Sequence, residues 1–573
     1  MINTLMSKGL FLLLLLSSFV LNTAFFQDKN TNSKKPNVIV ILTDDMGYSD
    51  IGCFGSEIRT PNIDRLAKNG LRFTQFYNTA RCSPSRASLL TGLYPHQAGM
   101  GHLSTENYKE PGYTDDLSKN SVTMAEVFQE AGYATFLTGK WHISKNQSTE
   151  GDRSNWPCQR GFQRFFGTLN GSGSFYDPGT LISNKNFIFP SKEFYYTSAI
   201  SDTAVKFINE NPKQKPFFLY MAYTAAHWPM HAPENEVKKY KGMYDKGWDV
   251  IRNNRFEKLK KLGLISDKAV LTERSVTIPE WKDEPMKEWQ VKRMEVYAAM
   301  IDIMDQGIGK VISALEKKGE LANTVIFYMH DNGGCAEPLN SAQTEIPATV
   351  EQNAGMPYAA DSVFVGKQPI YTRDGRFIRS GKGVMPGNAD SWVAYGEEWA
   401  NVSNTPFRLY KHWTHEGGIA TPLIVHWPKG LKLKGQICRQ PGHLIDIMAT
   451  CVDIAGITYP KKFNGNDVQP YEGKSLLPAF KNKTIKRDFI FWEHEGNRAI
   501  RIGNWKLVSR AQKNKVFTST DENAWELYNM DIDPTETFDM ASKYPQKVKS
   551  LSDMWEKEAI RTQAKPWPWQ EKK

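Results

Sequence analysis

Four short, almost wholly apolar runs are spread along the chain, and they limit its possible folds more than any other feature. The runs are residues 37–43, 216–222, 324–329 and 422–426. A continuous apolar run of this length, bounded by turn residues, is typical of a strand buried on both faces, as in a parallel sheet. Helical patterns lie between them, at residues 62–70, 123–132 and 289–318. This alternation predicts an α/β fold with a large mixed sheet flanked by helices.

The pattern changes after about residue 460. Short strand patterns, separated by Gly and Asn, occur at residues 489–492, 498–502, 505–508 and 525–528. A helical pattern follows at 546–560. We therefore expect a catalytic domain at 37–460 and a smaller C-terminal α+β subdomain at 461–573, with a short antiparallel sheet.

The N-terminus has the pattern of a secretory signal. Lys8 precedes a mostly apolar run at 10–21, and small and polar residues follow it up to Ala24. This predicts a signal peptide at 1–24, a tail at 25–36 and export to the periplasm or the medium, with an uncleaved anchor as the alternative. No later stretch suits a membrane helix, so we expect no stable membrane span. The formal net charge is +10, but the charges are scattered, so nucleic acid is not an expected partner.

Polar side chains directly follow two of the apolar runs. Asp44 and Asp45 come after the first run, and Asp331 and Asn332 come after the third. Ligand sites in open α/β sheets lie at the carboxyl ends of the strands. Carboxylate and amide oxygens without Cys or His select a hard cation, Ca²⁺ or Mg²⁺, over zinc. Taken singly, each pair could instead be a solvated turn.

A cysteine stands at the predicted start of a helix. Pro84 suits the first turn of that helix, and Gly92 suits its end. Cys82 would then lie at the helix N-terminus, where exposed N–H groups favour an anion. Arg86 follows one turn later, and its guanidinium suits an oxyanion. From these residues alone, a buried structural cysteine is an equal alternative.

The segment Cys82-Ser83-Pro84-Ser85-Arg86 resembles the Cys-x-Pro-x-Arg signature of type I sulfatases, which belong to the alkaline phosphatase superfamily. Residues 87–95 and 139–142 resemble the extended signatures of that family, and residues 527–534 extend the likeness towards the C-terminus. Within the family, the chain is most similar to bacterial arylsulfatases.

The resemblance implies a cofactor and a modified residue. A formylglycine-generating maturation enzyme would oxidise Cys82 to formylglycine (3-oxoalanine). One Ca²⁺ ion, rather than Mg²⁺, would be held by Asp44, Asp45, Asp331, Asn332 and the residue at 82. The other expected catalytic residues are Arg86, Lys140, His142, His227 and Lys411.

The implied reaction is sulfate-ester hydrolysis, which releases inorganic sulfate and an alcohol from a sulfated small molecule or a sulfated carbohydrate. Trp392, Tyr395 and Trp399 could stack a sugar or aromatic ring. The nearest alternative is a phosphonate monoester or phosphodiester hydrolase that uses the same formylglycine site. A non-catalytic, calcium-stabilised binding protein is a further alternative, and it would require Cys82 to stay a thiol.

Overall fold

The computed structural model of the protein describes residues 34–148, 150–337, 357–365, 369–510 and 525–568, and the backbone of 512–513 and 516–517. The predicted signal peptide and most of the predicted tail lie outside the described residues. Pro36–Lys573 forms one compact unit, and the domain boundary near residue 460 stays a prediction. None of the described helices is long and apolar enough to cross a membrane.

Eleven of the described strands form one central sheet. They are β1 (Asn37–Thr43), β2 (Leu71–Tyr77), β3 (Ala134–Lys140), β4 (Arg164–Thr168), β5 (Leu181–Ser183), β6 (Asn186–Phe187), β7 (Phe217–Ala222), β8 (Thr324–His330), β11 (Ala420–His426), β12 (Gln436–Cys438) and β13 (Gly442–His443). The strand order is β12-β2-β11-β8-β1-β7-β3-β4-β5-β6, and β13 also pairs with β2. Because β8, β1, β7, β3 and β4 run parallel, whereas β11 pairs antiparallel with β2 and β8, the predicted mixed sheet is confirmed.

Short strand pairs lie outside this sheet. They are β9 (Arg379–Ser380) with β10 (Ser391–Trp392), β14 (Lys462–Phe463) with β15 (Asn466–Asp467), and β19 (Gln512–Lys513) with β20 (Val516–Phe517).

All four apolar runs are strands, and β1 has the predicted bounds. One detail differs from the expectation, because β11 runs antiparallel to both of its neighbours, β2 and β8. Every residue of β11 is buried all the same. An interior strand is covered by its position in the sheet whichever way it runs, so an apolar run reports burial and not direction.

Helices cover the central sheet, and five predicted segments are among the described helices. The α-helices are α1 (Pro61–Lys68), α2 (Cys82–Thr91), α3 (Met124–Glu130), α4 (Tyr196–Glu210), α5 (Glu234–Val237), α6 (Gly247–Lys261), α7 (Lys287–Lys318), α8 (Gly396–Ser403), α9 (Glu416–Ile419), α10 (Ile445–Ala455), α11 (Leu477–Phe480) and α12 (Pro545–Arg561). Thr123 caps α3, since its hydroxyl accepts from Glu126 N while the Glu126 carboxylate accepts from Thr123 N. The predicted helices α1, α2, α3, α7 and α12 are confirmed.

The C-terminal region contains the predicted short antiparallel sheet. Its strands are β16 (Ile490–His494), β17 (Asn497–Ile502), β18 (Trp505–Ser509) and β21 (Trp525–Asn529), in the order β16-β17-β18-β21. Helix α12 packs on this sheet through Trp555, whose ring stacks on Phe491. Both side chains belong to an apolar cluster with Ile500, Leu507 and Leu527.

A buried ion cluster ties α9 to the C-terminal sheet. Lys506 Nζ lies 2.7 Å from Glu416 Oε1 and 2.7 Å from Glu536 Oε1, and all three side chains are buried. We expect Lys506→Met to lower the free energy of unfolding by about 3–5 kcal/mol, because it leaves two carboxylates buried without a cation. Urea unfolding measures this change. The control Lys549→Met removes an exposed pair on α12 and should cost at most about 1 kcal/mol, and equal losses would contradict the prediction.

Candidate active site

Four adjacent parallel strands bring most of the predicted site residues to one edge of the sheet. These strands lie in the order β8-β1-β7-β3. Asp331 follows β8, Asp44 follows β1 and His227 comes after β7, while Lys140 is the last residue of β3. Because parallel strands end at the same edge, residues far apart in the sequence come together here.

Helix α2 presents Cys82 to this edge. Cys82 is its first residue and is 3% exposed, and Gly92 ends the helix with a φ of 72°. Arg86, one turn further, is fully buried. Its Nη2 donates to Asp331 Oδ2 at 2.7 Å, and its Nη1 donates to the carbonyl oxygen of Lys140 at 3.3 Å. Arg86 thus joins α2 to the ends of β8 and β3, and the residue at 82 lies beside buried positive charge.

The two aspartates after β1 pair with different lysine side chains. Lys140 Nζ donates to Asp44 Oδ2 at 2.6 Å. Lys411 Nζ lies 2.9 Å from Asp45 Oδ1, and Asn332 Nδ2 donates to the same oxygen at 2.7 Å. These contacts bring the predicted metal ligands and both predicted lysines into one buried cluster.

Two buried oxygens in this cluster have no hydrogen-bond partner within the part of the chain that the structure describes. They are Asp44 Oδ1 and Asn332 Oδ1. An unpartnered buried oxygen is costly, so each is normally satisfied by a donor or a cation. Burial and the charge of Asp44 also raise the pKa of Asp331 to about 8, although the Arg86 guanidinium lies 2.7 Å from Asp331 and 3.6 Å from Asp44. The set Asp44, Asp45, Asp331 and Asn332 therefore fits a hard divalent cation.

His227 is fixed by its neighbours. Its Nδ1 lies 2.6 Å from the carbonyl oxygen of Trp228 and donates to it, so its Nε2 is the acceptor. That Nε2 faces Lys411 Nζ at 3.5 Å. Burial lowers the pKa of His227. Burial also acts to lower the pKa of Lys411, but the negative charge of Asp45 outweighs it and raises that pKa well above the ordinary value. The pair is therefore a neutral imidazole beside a protonated amine.

His142 lines the same cavity as Cys82. Burial and Lys140 hold the pKa of His142 well below its ordinary value, so its ring is neutral. The ring packs directly on Gly171, where an added Cβ would lie only 2.3 Å from His142 Cε1. A residue larger than glycine at 171 would displace the ring.

A cavity of about 290 Å³ opens above Cys82. Its wall includes the predicted residues His142, His227 and Lys411, and also three residues that the sequence did not single out: Arg81, Trp228 and Glu337. The Arg81 guanidinium pairs with Glu337, whose Oε2 lies 3.5 Å from Lys411 Nζ. Adjacency to the Cys82 and His227 motifs could have indicated Arg81 and Trp228, but no motif marks Glu337.

Of the three aromatic residues predicted to stack a ring, Trp392 lines the cavity, whereas Tyr395 and Trp399 do not. Trp392 lines the cavity, and its ring lies 6.0 Å from that of Trp228. Tyr395 and Trp399 are buried in the core, where Tyr395 stacks on Tyr297 at 4.3 Å and Trp399 contacts Trp248. Tyr395 directly precedes α8 and Trp399 lies within it, and packing against α7 and α6 keeps both out of the cavity.

Comparisons with known proteins agree with this geometry. A family model described as sulfatase matches residues 36–457, and one described as N-sulphoglucosamine sulphohydrolase, C-terminal, matches residues 407–564. An uncharacterized sulfatase of Schizosaccharomyces pombe is 34% identical over 92% of this chain and 94% of its own length. An arylsulfatase of Klebsiella aerogenes is 34% identical over 77% of this chain and 91% of its own.

A solved structure shares the fold. The crystal structure of Ps i-CgsB has a TM-score of 0.61 and 24% identity, and the match covers 94% of both chains. The chain therefore belongs to the sulfatase family, as a type I sulfatase and sulfuric ester hydrolase of the alkaline phosphatase superfamily.

Proposed function

We propose that the enzyme removes sulfate from a single sugar or aryl ring, using formylglycine made from Cys82 and one calcium ion. The observation that carries this proposal is the position of Cys82. It lies at the N-terminus of α2, on the wall of the cavity, where Lys411, His142 and His227 also converge. A helix N-terminus with two nearby cations, Arg86 and Lys411, suits a sulfate group.

Calcium is the cation that we assign to Asp44, Asp45, Asp331 and Asn332. When bound, calcium would supply positive charge, and the formylglycine hydrate would supply an oxygen nucleophile whose pKa that charge lowers. Arg86 holds Asp331 in place through its 2.7 Å contact and adds a fixed charge behind residue 82. Lys140 holds Asp44 in place through a contact of 2.6 Å between Nζ and Oδ2.

Lys411 and His227 are the residues that we assign to the leaving alcohol. Lys411 is protonated and reaches the cavity wall, so it can hold a sulfate oxygen or give a proton. His227 cannot donate from Nε2 while its Nδ1 is bonded to the Trp228 carbonyl, so it accepts from Lys411. We therefore assign the protonation of the alcohol to Lys411, with His227 orienting its amine. His142, a neutral ring that lines the same cavity, is the base that we assign to residue 82.

The substrate class rests on the cavity and on the relatives. Trp228 and Trp392 provide apolar faces beside the polar wall, which suits one sugar or aryl ring. Relatives named N-acetylglucosamine-6-O-sulfatase, from Bacteroides thetaiotaomicron, and N-acetylgalactosamine-6-sulfatase, from Rattus norvegicus, are 26% and 25% identical to this chain. Together with the arylsulfatase of Klebsiella aerogenes, they support sulfated sugars and aryl sulfates as candidates.

Paired substrates test the reaction type. Rates on an aryl sulfate, an aryl phosphate monoester, an aryl phosphodiester and an aryl phosphonate with the same leaving group should favour the sulfate clearly. A faster rate on any phosphorus ester would support the alternative hydrolase instead. A panel of 6-O-sulfated, N-sulfated and unsulfated amino sugars, followed by sulfate release, would then separate sugar from aryl specificity.

Lys411→Ala is expected to lower kcat/KM about 10²–10³-fold, because it removes a buried positive charge from the site. Steady-state kinetics on the aryl sulfate measures the change, and circular dichroism checks the fold. Lys310→Ala is the matched control, since Lys310 is an exposed lysine on α7 that pairs with Asp202. A Lys411→Ala variant within about threefold of the control would remove Lys411 from the mechanism.

Export is the remaining part of the proposal. The apolar run at 10–21 and the small residues after it support cleavage near Ala24 and release into the periplasm or the medium. N-terminal sequencing of the protein from its own host would test this, and a retained Met1 would contradict it.

A further inference from the structure

A second group of potential metal ligands lies outside the calcium cluster. His412, His494 and Glu495 each offer one ligand atom, and these three atoms lie within 4.8 Å of one another. None of the three lines the cavity above Cys82. They come from two distant segments, because His412 follows Lys411 while His494 ends β16 and Glu495 begins the turn after it.

His494 is the feature that points to a ligand. Its side chain is 1% exposed, and neither of its ring nitrogens has a hydrogen-bond partner among the described residues. A buried imidazole normally bonds through at least one nitrogen, because an unpartnered buried polar atom costs roughly 1–3 kcal/mol. His494 Nε2 faces the Glu495 carboxylate at 3.7 Å, which is too long for a hydrogen bond.

The separations suit a metal ion between the ligands. His412 Nδ1 lies 2.9 Å from Glu495 Oε2, and His494 Nε2 lies 3.7 Å from Glu495 Oε1. Zinc bonds to nitrogen and carboxylate oxygen of about 2.0–2.1 Å place tetrahedral ligands roughly 3.3 Å apart. The two observed separations lie on either side of that value, so small side-chain rotations would accommodate the ion.

The ligand types favour a transition metal over calcium. Two imidazoles and one carboxylate suit zinc and related ions, whereas calcium takes oxygen ligands. His102 completes the arrangement, since its Nε2 lies 2.5 Å from Glu495 Oε1 and its ring stacks on that of His494. A histidine that bonds to a ligating carboxylate from outside orients it for the metal. The positive charge of Arg81 also acts on His494, although the Arg81 guanidinium itself pairs with Glu337.

We propose that His412, His494 and Glu495 bind one zinc ion, with His102 as the positioning residue for Glu495. The ion would join the segment that carries Lys411 to the C-terminal sheet. It would also join both to residue 102, whose neighbour Leu103 lines the cavity. Zinc would therefore fix one wall of the active site without contacting the substrate.

The test is a zinc titration of the full-length enzyme in excess calcium, so that the all-oxygen site is already filled. Calorimetry should show one zinc ion bound to the wild type and none to His494→Gln or His412→Gln. His102→Gln should bind zinc about 10–100-fold more weakly. His426→Gln is the control, because His426 is a mostly buried histidine outside the cluster, and it should bind zinc like the wild type.

A second readout covers variants that fold poorly. Cobalt in place of zinc should give the wild type a visible absorption band typical of tetrahedral nitrogen and oxygen ligands. That band should be lost in His412→Gln, which changes a side chain that is 18% exposed. Zinc should also raise the Tm of the wild type and of His426→Gln but not of His412→Gln. Absence of zinc binding in the calcium-loaded wild type, or zinc binding by His412→Gln and His494→Gln equal to that of the wild type, would overturn the proposal.

Discussion

Cys82→Ala is expected to lower kcat/KM for sulfate-ester hydrolysis by at least about 10⁴-fold, because it removes the atom from which the nucleophile is made. The helix α2 should be unaffected, since alanine is an excellent helix former and Cys82 is its first residue. Arg86, Lys140 and the four oxygen ligands remain in place in this variant. Binding of a substrate analogue should therefore survive while turnover is lost.

The control for this variant is Cys438→Ala. Cys438 is a buried cysteine in β12, away from the cavity, so its replacement tests the general effect of losing a thiol from the interior. Kinetics on the aryl sulfate and circular dichroism of both variants complete the comparison. Turnover of Cys82→Ala within about tenfold of Cys438→Ala would exclude residue 82 as the nucleophile.

Asp45→Asn is expected to weaken calcium binding and to lower kcat/KM roughly 10³-fold, because a metal contributes several kcal/mol of charge stabilisation. Asp45 also binds Lys411 at 2.9 Å and lies 3.3 Å from His227. Its neutralisation therefore disturbs the metal site and the proton donor together. A calcium chelator should inactivate the wild type in the same way, and added calcium should restore it.

Asp305→Asn is the matched control for Asp45→Asn. Asp305 is a fully buried carboxylate that accepts from the backbone N–H groups of Asn62 and Ile63 at the start of α1. These contacts involve no residue of the calcium cluster. Its loss should reduce stability but not calcium affinity. If calcium affinity, measured by calorimetry, were the same in both variants, Asp45 would not be a ligand.

The sequence predicts the centre of the fold well because its signals there are local. The first strand, β1, has the predicted bounds, and the residues that follow β1 and β8 lie in one cluster as expected. Strands β2 and β3 were not predicted, because their patterns are mixed. Arg72 and Gln75 interrupt β2, and Thr138 and Gly139 interrupt the end of β3.

The remaining features of the site depend on contacts between distant segments. The unpartnered oxygens of Asp44 and Asn332, and the contact between Glu337 and Lys411, arise only when separate strand ends and loops meet. The prediction for Tyr395 and Trp399 was wrong for the same reason. An aromatic residue in a loop can reach either the cavity or the core, and packing on Tyr297 and Trp248 decides between them.

The mass of the peptide that contains residue 82, from enzyme purified from its own host, tests the central claim most directly. We predict that this peptide carries an aldehyde, or its hydrate, in place of the cysteine thiol. An unmodified Cys82 in fully active enzyme would contradict the proposed nucleophile.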